Sequence, residues 1–166
     1  MIRLATVTDI QHIARMATET VQIMKEEKND QWDETYPLPE HFQHDVENGT
    51  IFVKELDHEV VGSITIDRDF SEAYSHFSWE QPIEQTMIFH RLVVNPAIRK
   101  KGIASQLIEF AEQHARTKGC TSMKVDTYSL NQKAQGLFLR HSYRPVGELK
   151  LPERANPFYF YEKTLI

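Results

Sequence analysis

One stretch constrains this chain more than any other. The apolar, β-branched run Phe89-His90-Arg91-Leu92-Val93-Val94 is halted by Asn95-Pro96, followed by the basic turn Arg99-Lys100-Lys101-Gly102, and then by a long amphipathic segment. The run reads as a buried strand. After the turn, Ile103, Leu107, Phe110, Ala111 and His114 recur at spacings of three and four, with Ala104, Ile108 and Ala115 widening the stripe, which predicts a helix with a broad buried face. A helix start carries backbone N–H groups without intrahelical partners and a partial positive charge, so a turn with Gly102 and the small Ala104 lets an anion approach those amides. The chemistry this asks for is a phosphate or pyrophosphate, held mainly by backbone.

Two familiar phosphate motifs fit poorly. A Walker loop needs Gly-Lys followed by Ser or Thr, and a dinucleotide fingerprint needs three glycines; here Gly102 precedes Ile103 and stands alone. Strand, then Arg99-x-x-Gly102-x-Ala104, then amphipathic helix resembles the acyl-CoA-binding signature of the GNAT superfamily of N-acetyltransferases. A plain basic turn between an ordinary strand and helix is the bland alternative for this stretch.

The 166 residues suffice for one domain with a substantial core, and we expect a single domain over 1–166. Apolar residues make up 40% and charged ones 26%, which argues against a disordered or fibrous chain. The formal charge of −5, with Lys and Arg gathered only at the turn, argues against a nucleic-acid partner. No run is long enough to span a bilayer, and the N-terminus lacks a signal-peptide pattern. Cys120, the only cysteine, rules out an internal disulfide, fits a reducing compartment and reads as a small buried residue. The expected location is the cytoplasm, with no membrane partner.

In chain order, a short first strand at 2–5 leads to a helix carrying Ile10, Ile13, Ala14, Ala17, Val21 and Met24, with Thr8 and Gln11 as its capping box. The loop at 31–39 holds Trp32 and Tyr36 beside Asp33 and Glu34, either to pack or to bind substrate. A short helix at 41–48 follows. His41, His44 and Asp45 share one face of it, but no further strong ligand is in view and no metal is expected. Runs at 50–56 and 60–66 joined by Asp57-His58-Glu59 predict an antiparallel hairpin, with Gly62 marking a bulge or a close backbone approach. The segment 67–85 shows no periodicity yet mixes acids with Phe70, Tyr74, Phe77 and Trp79; acid plus aromatic, as in Trp79-Glu80, suits a cationic amine or a solvated loop equally. Strands at 122–127, 143–149 and 158–165 and a helix at 131–141 complete an α/β mixed sheet with helices on both faces.

That order also matches the GNAT fold, so the resemblance covers essentially the whole chain. It implies acetyl-CoA as co-substrate and direct attack of a primary amine on its thioester. The acceptor is expected to be a small molecule, with a protein N-terminus or lysine, or a non-catalytic acyl-CoA-binding module, as alternatives. By resemblance, backbone groups of Leu92, Val93 and Val94 would pair with the pantetheine arm, the amides from Arg99, Lys100, Lys101, Gly102, Ile103, Ala104 and Ser105 would hold the pyrophosphate, and Asn131 and Phe138 would line the far wall. Pairing of two copies through the last strands is common among relatives, which makes a homodimer an expectation.

A second motif, Asn131-x-x-Ala134-x-x-x-Phe138, follows the family pattern but carries Phe where Tyr usually serves as general acid, and Ser142-Tyr143 where Gly-Phe is common. Thiolate leaves tolerably without a proton, since thiol pKa values lie near ~8.5 and general acid help is typically worth about 10²–10⁴-fold. Tyr128 and Tyr143 are the phenols able to compensate, Tyr128 ranking first. The amine must lose a proton; His90 on the central strand is the candidate base, with Glu84 and Glu80, just before that strand, as rivals.

Overall fold

Most of the expected elements form where the apolar pattern places them. The computed structural model describes residues 1–98 and 101–166. Seven strands, β1 (Ile2–Leu4), β2 (Ile51–Leu56), β3 (Glu59–Asp67), β4 (Thr86–Val94), β5 (Ser122–Tyr128), β6 (Arg144–Leu149) and β7 (Phe158–Thr164), stand in the order β1-β2-β3-β4-β5-β7-β6. The α-helices are α1 (Ile10–Glu26), α2 (Pro39–Glu47), α3 (Ile103–Thr117) and α4 (Gln132–Arg140). The sheet is mixed: β4 and β5 run parallel, in the register Thr86↔Ser122 to Ile88↔Lys124, while β1 with β2, β2 with β3, β5 with β7 and β6 with β7 are antiparallel.

The chain forms two compact units, Met1–Ile66 with His90–Ala111, and Asp67–Phe89 with Glu112–Ile166. In the first, the apolar stripe of α1 (Ile10, Ile13, Ala17, Val21, Met24) packs with Trp32, Phe42 of α2, Ile51 and Val53 of β2 and Val93 of β4. The hairpin β2–β3 closes through Asp57 and His58, both at positive φ (52° and 66°), the geometry of a type I′ turn. Gly62 borders a bulge and is also a close approach. A Cβ there would lie 3.0 Å from Leu107 Cδ1, 3.1 Å from Ile103 Cγ2 and 3.1 Å from the Val93 carbonyl, so glycine lets α3 settle onto β3. Beside it the register slips by one residue: Lys54 pairs with Gly62 and Glu55 with Val60, which leaves Val61 as the extra residue.

In the second unit, residues 67–85 wrap a ring cluster of Tyr74, Phe77, Trp79 and Phe160, and they contain two short 3₁₀ turns, Glu72–His76 and Ile83–Gln85, that aperiodic sequence did not announce. Cys120 is buried between α3 and β5, as expected.

The expected capping box at Thr8 and Gln11 is corrected by two residues. A 3₁₀ turn, Val7–Asp9, precedes α1, and the Asp9 carboxylate accepts the Thr6 N–H at 2.7 Å. Asp9 is also fixed by Arg3, at 2.8 and 3.1 Å, and hydrogen bonds from Arg3 hold its pKa below the ordinary value. A carboxylate with a cationic partner makes the stronger cap.

Candidate functional site

β4 enters the first unit at His90, and its next residue departs from strand geometry: Arg91 has φ 49°, the left-handed region, uncommon for a residue with a Cβ. Such a conformation costs on the order of 1–3 kcal/mol and persists where its surroundings over-determine it. The surroundings here are ionic. Arg91 grips Asp45 of α2 with two parallel hydrogen bonds, Nε to Oδ2 and Nη2 to Oδ1, each 2.8 Å, and its Nη1 donates to the Tyr36 hydroxyl at 2.9 Å. Thr65 of β3 donates to Asp45 Oδ2 at 2.9 Å. Burial opposes the guanidinium charge, but Asp45 and Tyr36 outweigh it and leave the Arg91 pKa above its ordinary value. Beyond the kink, Val93 is buried, Leu92 and Val94 are half-buried, and the Asn95 N–H donates to the Val61 carbonyl at 2.9 Å.

The turn that follows is built for a helix start. Asn95 accepts the Ala97 N–H on its side chain (2.9 Å) and the Ile98 N–H on its carbonyl (3.1 Å), forming the 3₁₀ turn Pro96–Ile98. Arg99 and Lys100, two of the expected phosphate-binding residues, lie outside the described residues. Lys101 is exposed, and Gly102 has φ 74° with nothing within 4 Å of where a Cβ would stand. The backbone ladder of α3 begins with Gln106 N–H to the Gly102 carbonyl at 3.0 Å. The amides of Ile103 and Ala104 stand at the helix start, in the position where an anion is stabilised by the helix dipole.

The candidate acids and bases fall in different settings. His90 is half-buried on β4, immediately before the kink, and Glu84 is exposed in the turn Ile83–Gln85. Tyr143 is buried and donates its hydroxyl to Glu112 Oε2 at 2.8 Å; burial and the negative charge of Glu112 push its pKa well up. Glu112 in turn pairs with Lys163 at 2.9 Å. Tyr128, at the end of β5, is also buried, but its hydroxyl accepts, from the Asn156 N–H at 3.2 Å and from Asn156 Nδ2 at 3.4 Å. Arg154 lies 4.5 Å above its ring. Phe138 sits within a ring cluster with Phe89, Tyr143 and Tyr161. Asn131 is the N-cap of α4, accepting the Ala134 N–H at 3.1 Å.

The substrate candidates divide between the two units, Trp32 and Tyr36 in the first and Trp79 and Glu80 in the second. Trp32 is part of the first unit's core and Tyr36 serves Arg91. Trp79 stacks on Tyr74, donates its Nε1 to the Tyr74 carbonyl at 2.8 Å and has Lys124 Nζ 5.0 Å from its ring centre. Glu80 is exposed and pairs with Arg144 at 3.1 Å. Among the described residues no cluster of His, Cys, Asp or Glu is arranged to hold a metal; the His41 ring accepts the Leu38 N–H at 2.8 Å, and Asp45 is committed to Arg91.

Sequence reasoning missed the ionic network: Arg91 with Asp45, Lys124 with Glu162, Glu112 with Tyr143, and Asp126 accepting the Tyr74 hydroxyl at 2.5 Å. A signal was present. Glu112 follows Ile108 by one helical turn, so it is a charge on the face where the apolar pattern demands burial, whereas Lys124 alternates with Met123 and Val125 and reads as facing the other side.

Comparison with known proteins supplies the remaining observation. The model of the Acetyltransferase (GNAT) family matches residues 16–143. An aminoalkylphosphonate N-acetyltransferase of Salmonella typhimurium is 33% identical over 86 residues, 52% of this chain and 51% of that protein. The chain thus spans about half the length of that curated relative. A Staphylococcus aureus Mu50 protein described as an acetyltransferase is 31% identical, with 100% of this chain and 99% of that one aligned at a TM-score of 0.75. The fold also matches yncA of Salmonella typhimurium, whose structure contains its cofactor acetyl-CoA, at 18% identity and a TM-score of 0.75, covering 100% of this chain and 94% of that one. No helix among the described residues is long and apolar enough to cross a membrane.

Proposed function

The chain belongs to the GNAT acetyltransferase family, and on that premise we propose that it transfers the acetyl group of acetyl-CoA to a primary amine of a small molecule. The observation that carries this reading is the sequence of a kinked strand, an open glycine turn and a helix start whose ladder begins only at Gln106. A pyrophosphate fits those amides, and Lys101 adds formal charge beside them. The backbone of Leu92 to Val94 is the segment we assign to the pantetheine arm. Bound there, acetyl-CoA supplies a thioester that an amine can attack and a thiolate that leaves.

The chain's own residues supply proton handling. His90, on β4 immediately before the segment assigned to the arm, is our base for the ammonium proton. For the departing thiolate we favour Tyr128. Asn156 fills the acceptor positions of its hydroxyl, which leaves its proton to give, whereas the Tyr143 proton is already donated to Glu112. Such chemistry belongs with a cytoplasmic enzyme, which fits a chain whose one cysteine is free.

The name of the Salmonella relative makes small aminoalkylphosphonates the first acceptors to try. The test mixes the protein with acetyl-CoA and a panel of aminoalkylphosphonates, polyamines, amino acids and peptides, following release of CoA thiol and the mass of the product. We expect a small amine to gain one acetyl group for each CoA released. Preference for peptides would move the acceptor to a protein. Coenzyme binding without acetylation of any acceptor would favour the second reading, an acyl-CoA-binding module, which Phe138 in place of the family's tyrosine supports.

A further inference from the structure

We propose that Arg91 and Asp45 form a clamp whose task is to hold β4 in its kinked form, making Arg91 a positioning residue for the coenzyme arm; this rests on the coenzyme reading above. A residue with a Cβ is disfavoured at φ 49°, and in the middle of a nine-residue strand nothing about the peptide chain itself selects that conformation. What selects it is the side chain. Arg91 reaches α2 and the 31–39 loop at once: two bonds to Asp45 of α2 and one to Tyr36, with Thr65 of β3 steadying the Asp45 carboxylate.

Asp45 is only 2% exposed and Arg91 14%, so little water reaches the pair. A planar guanidinium gripping both carboxylate oxygens fixes direction as well as distance, which a lysine at the same place would not do. The three residues after the kink, Leu92 to Val94, are those assigned to the pantetheine arm. Their amides and carbonyls point where the kink sends them, because a change of one residue's backbone rotates every peptide plane that follows it until the next fixed bond. The Asn95 N–H donates to the Val61 carbonyl four residues on and fixes the far side of the segment. The clamp and this bond therefore flank the arm-binding segment.

Neither residue entered the sequence reading in this role: Arg91 passed as part of an apolar strand and Asp45 as a poor metal ligand. A lone glycine at 91 would allow the kink at no conformational cost, but it would allow the extended form as well. Arginine with its partner selects one of the two.

The test separates conformation from charge. In an Asp45→Asn background, which leaves no buried carboxylate stranded, Arg91→Ala and Arg91→Gly lose the same ionic contacts and differ only in tolerance of positive φ. We expect the Ala variant to bind acetyl-CoA about tenfold more weakly than the Gly variant by calorimetric titration, the factor that a Cβ penalty at a left-handed residue implies. In the coenzyme-free proteins, the amide resonances of Leu92, Val93 and Val94 should be displaced from wild type for Ala and, with the clamp gone, displaced by less for Gly, which samples both forms. Resonances of either variant that overlay on wild type overturn the clamp, and equal affinities of the Ala and Gly variants overturn its role in positioning the arm. If wild type itself fails to bind acetyl-CoA, the proposed function falls, and the resonances alone then decide the clamp: displacement in both variants supports it, and overlay on wild type in either refutes it.

Discussion

Two buried ion pairs, one in each unit, make opposite use of the same chemistry. Lys124 and Glu162 face each other across β5 and β7 in regular register, at 3.1 Å and with side chains 0% and 1% exposed. Lys124 Nζ also donates to the Gln81 carbonyl, Thr86 Oγ1 and Ser122 Oγ; Glu162 accepts the Glu80 and Gln81 N–H groups and Ser122 Oγ. Three of these bonds tie ordinary strand to Glu80 and Gln81, and the others stay among β4, β5 and β7. Arg91 and Asp45 instead hold a strand in a conformation it would otherwise leave. The difference teaches that a buried pair on regular backbone serves stability, whereas a pair on irregular backbone serves geometry.

The sharpest way to break this comparison is to remove one partner from each pair. Lys124→Met strands Glu162 and should cost about 3–5 kcal/mol in chemical unfolding while leaving the acetyl-CoA affinity of the folded protein unchanged. Asp45→Asn should cost about 3 kcal/mol and weaken the coenzyme as well. Loss of coenzyme affinity in both, or in neither, would erase the distinction.

The two phenols offer the same contrast on a smaller scale. Tyr128→Phe should lower kcat by about 10²-fold with acetyl-CoA affinity kept, as removal of a general acid does. Tyr143→Phe should leave kcat near wild type and cost about 2 kcal/mol of stability, because its hydroxyl is bonded to the charged Glu112. Steady-state kinetics beside thermal melts separates the two.

Acid adds a further distinction. Burial raises the Glu162 pKa, but the Gln81 and Glu80 N–H groups and Lys124 more than reverse it, leaving the pKa below the ordinary value. A carboxyl depressed in the folded state contributes stability that is present above its unfolded pKa and lost as pH falls through its folded one. Glu162→Gln should therefore flatten the acid limb of the stability curve below about pH 4.5, where an unfolded glutamate begins to protonate. A limb as steep as wild type would locate acid sensitivity elsewhere.

The smallest effect concerns Ser63, buried on β3 two residues before Thr65 and with a hydroxyl that meets no hydrogen-bond partner among the described residues. Ser63→Ala should raise stability by about 1 kcal/mol, measured by unfolding in urea, because it removes an unpaired polar group. A loss of stability would mean that the hydroxyl is satisfied in solution.

Periodicity made the fold legible. The stripes of α1 and α3, the β-branched runs of β2 to β5 and the polar connection at Asp57-His58 are local signals, and local signals survive without knowledge of neighbours. The turn at Gly102 was legible for the same reason, since a glycine and basic residues before an amphipathic run are adjacent in sequence. The partners of charged residues were not. Asp45 meets Arg91 across 46 positions, and Tyr143 meets Glu112 across 31, distances over which sequence pattern carries no register. Trp32 shows the limit from the other side: a loop tryptophan next to acids looks available to a ligand until the core is seen to close on it.

The proposed site holds acetyl-CoA at the β4 kink and the start of α3. Thermal unfolding with and without acetyl-CoA, with free CoA alongside, tests it directly. At about 100 times its dissociation constant the coenzyme should add ~2.7 kcal/mol, which is several degrees for a domain of this length, and CoA should reproduce much of that shift through the shared pyrophosphate. An unchanged melting temperature at every concentration of both would contradict the account.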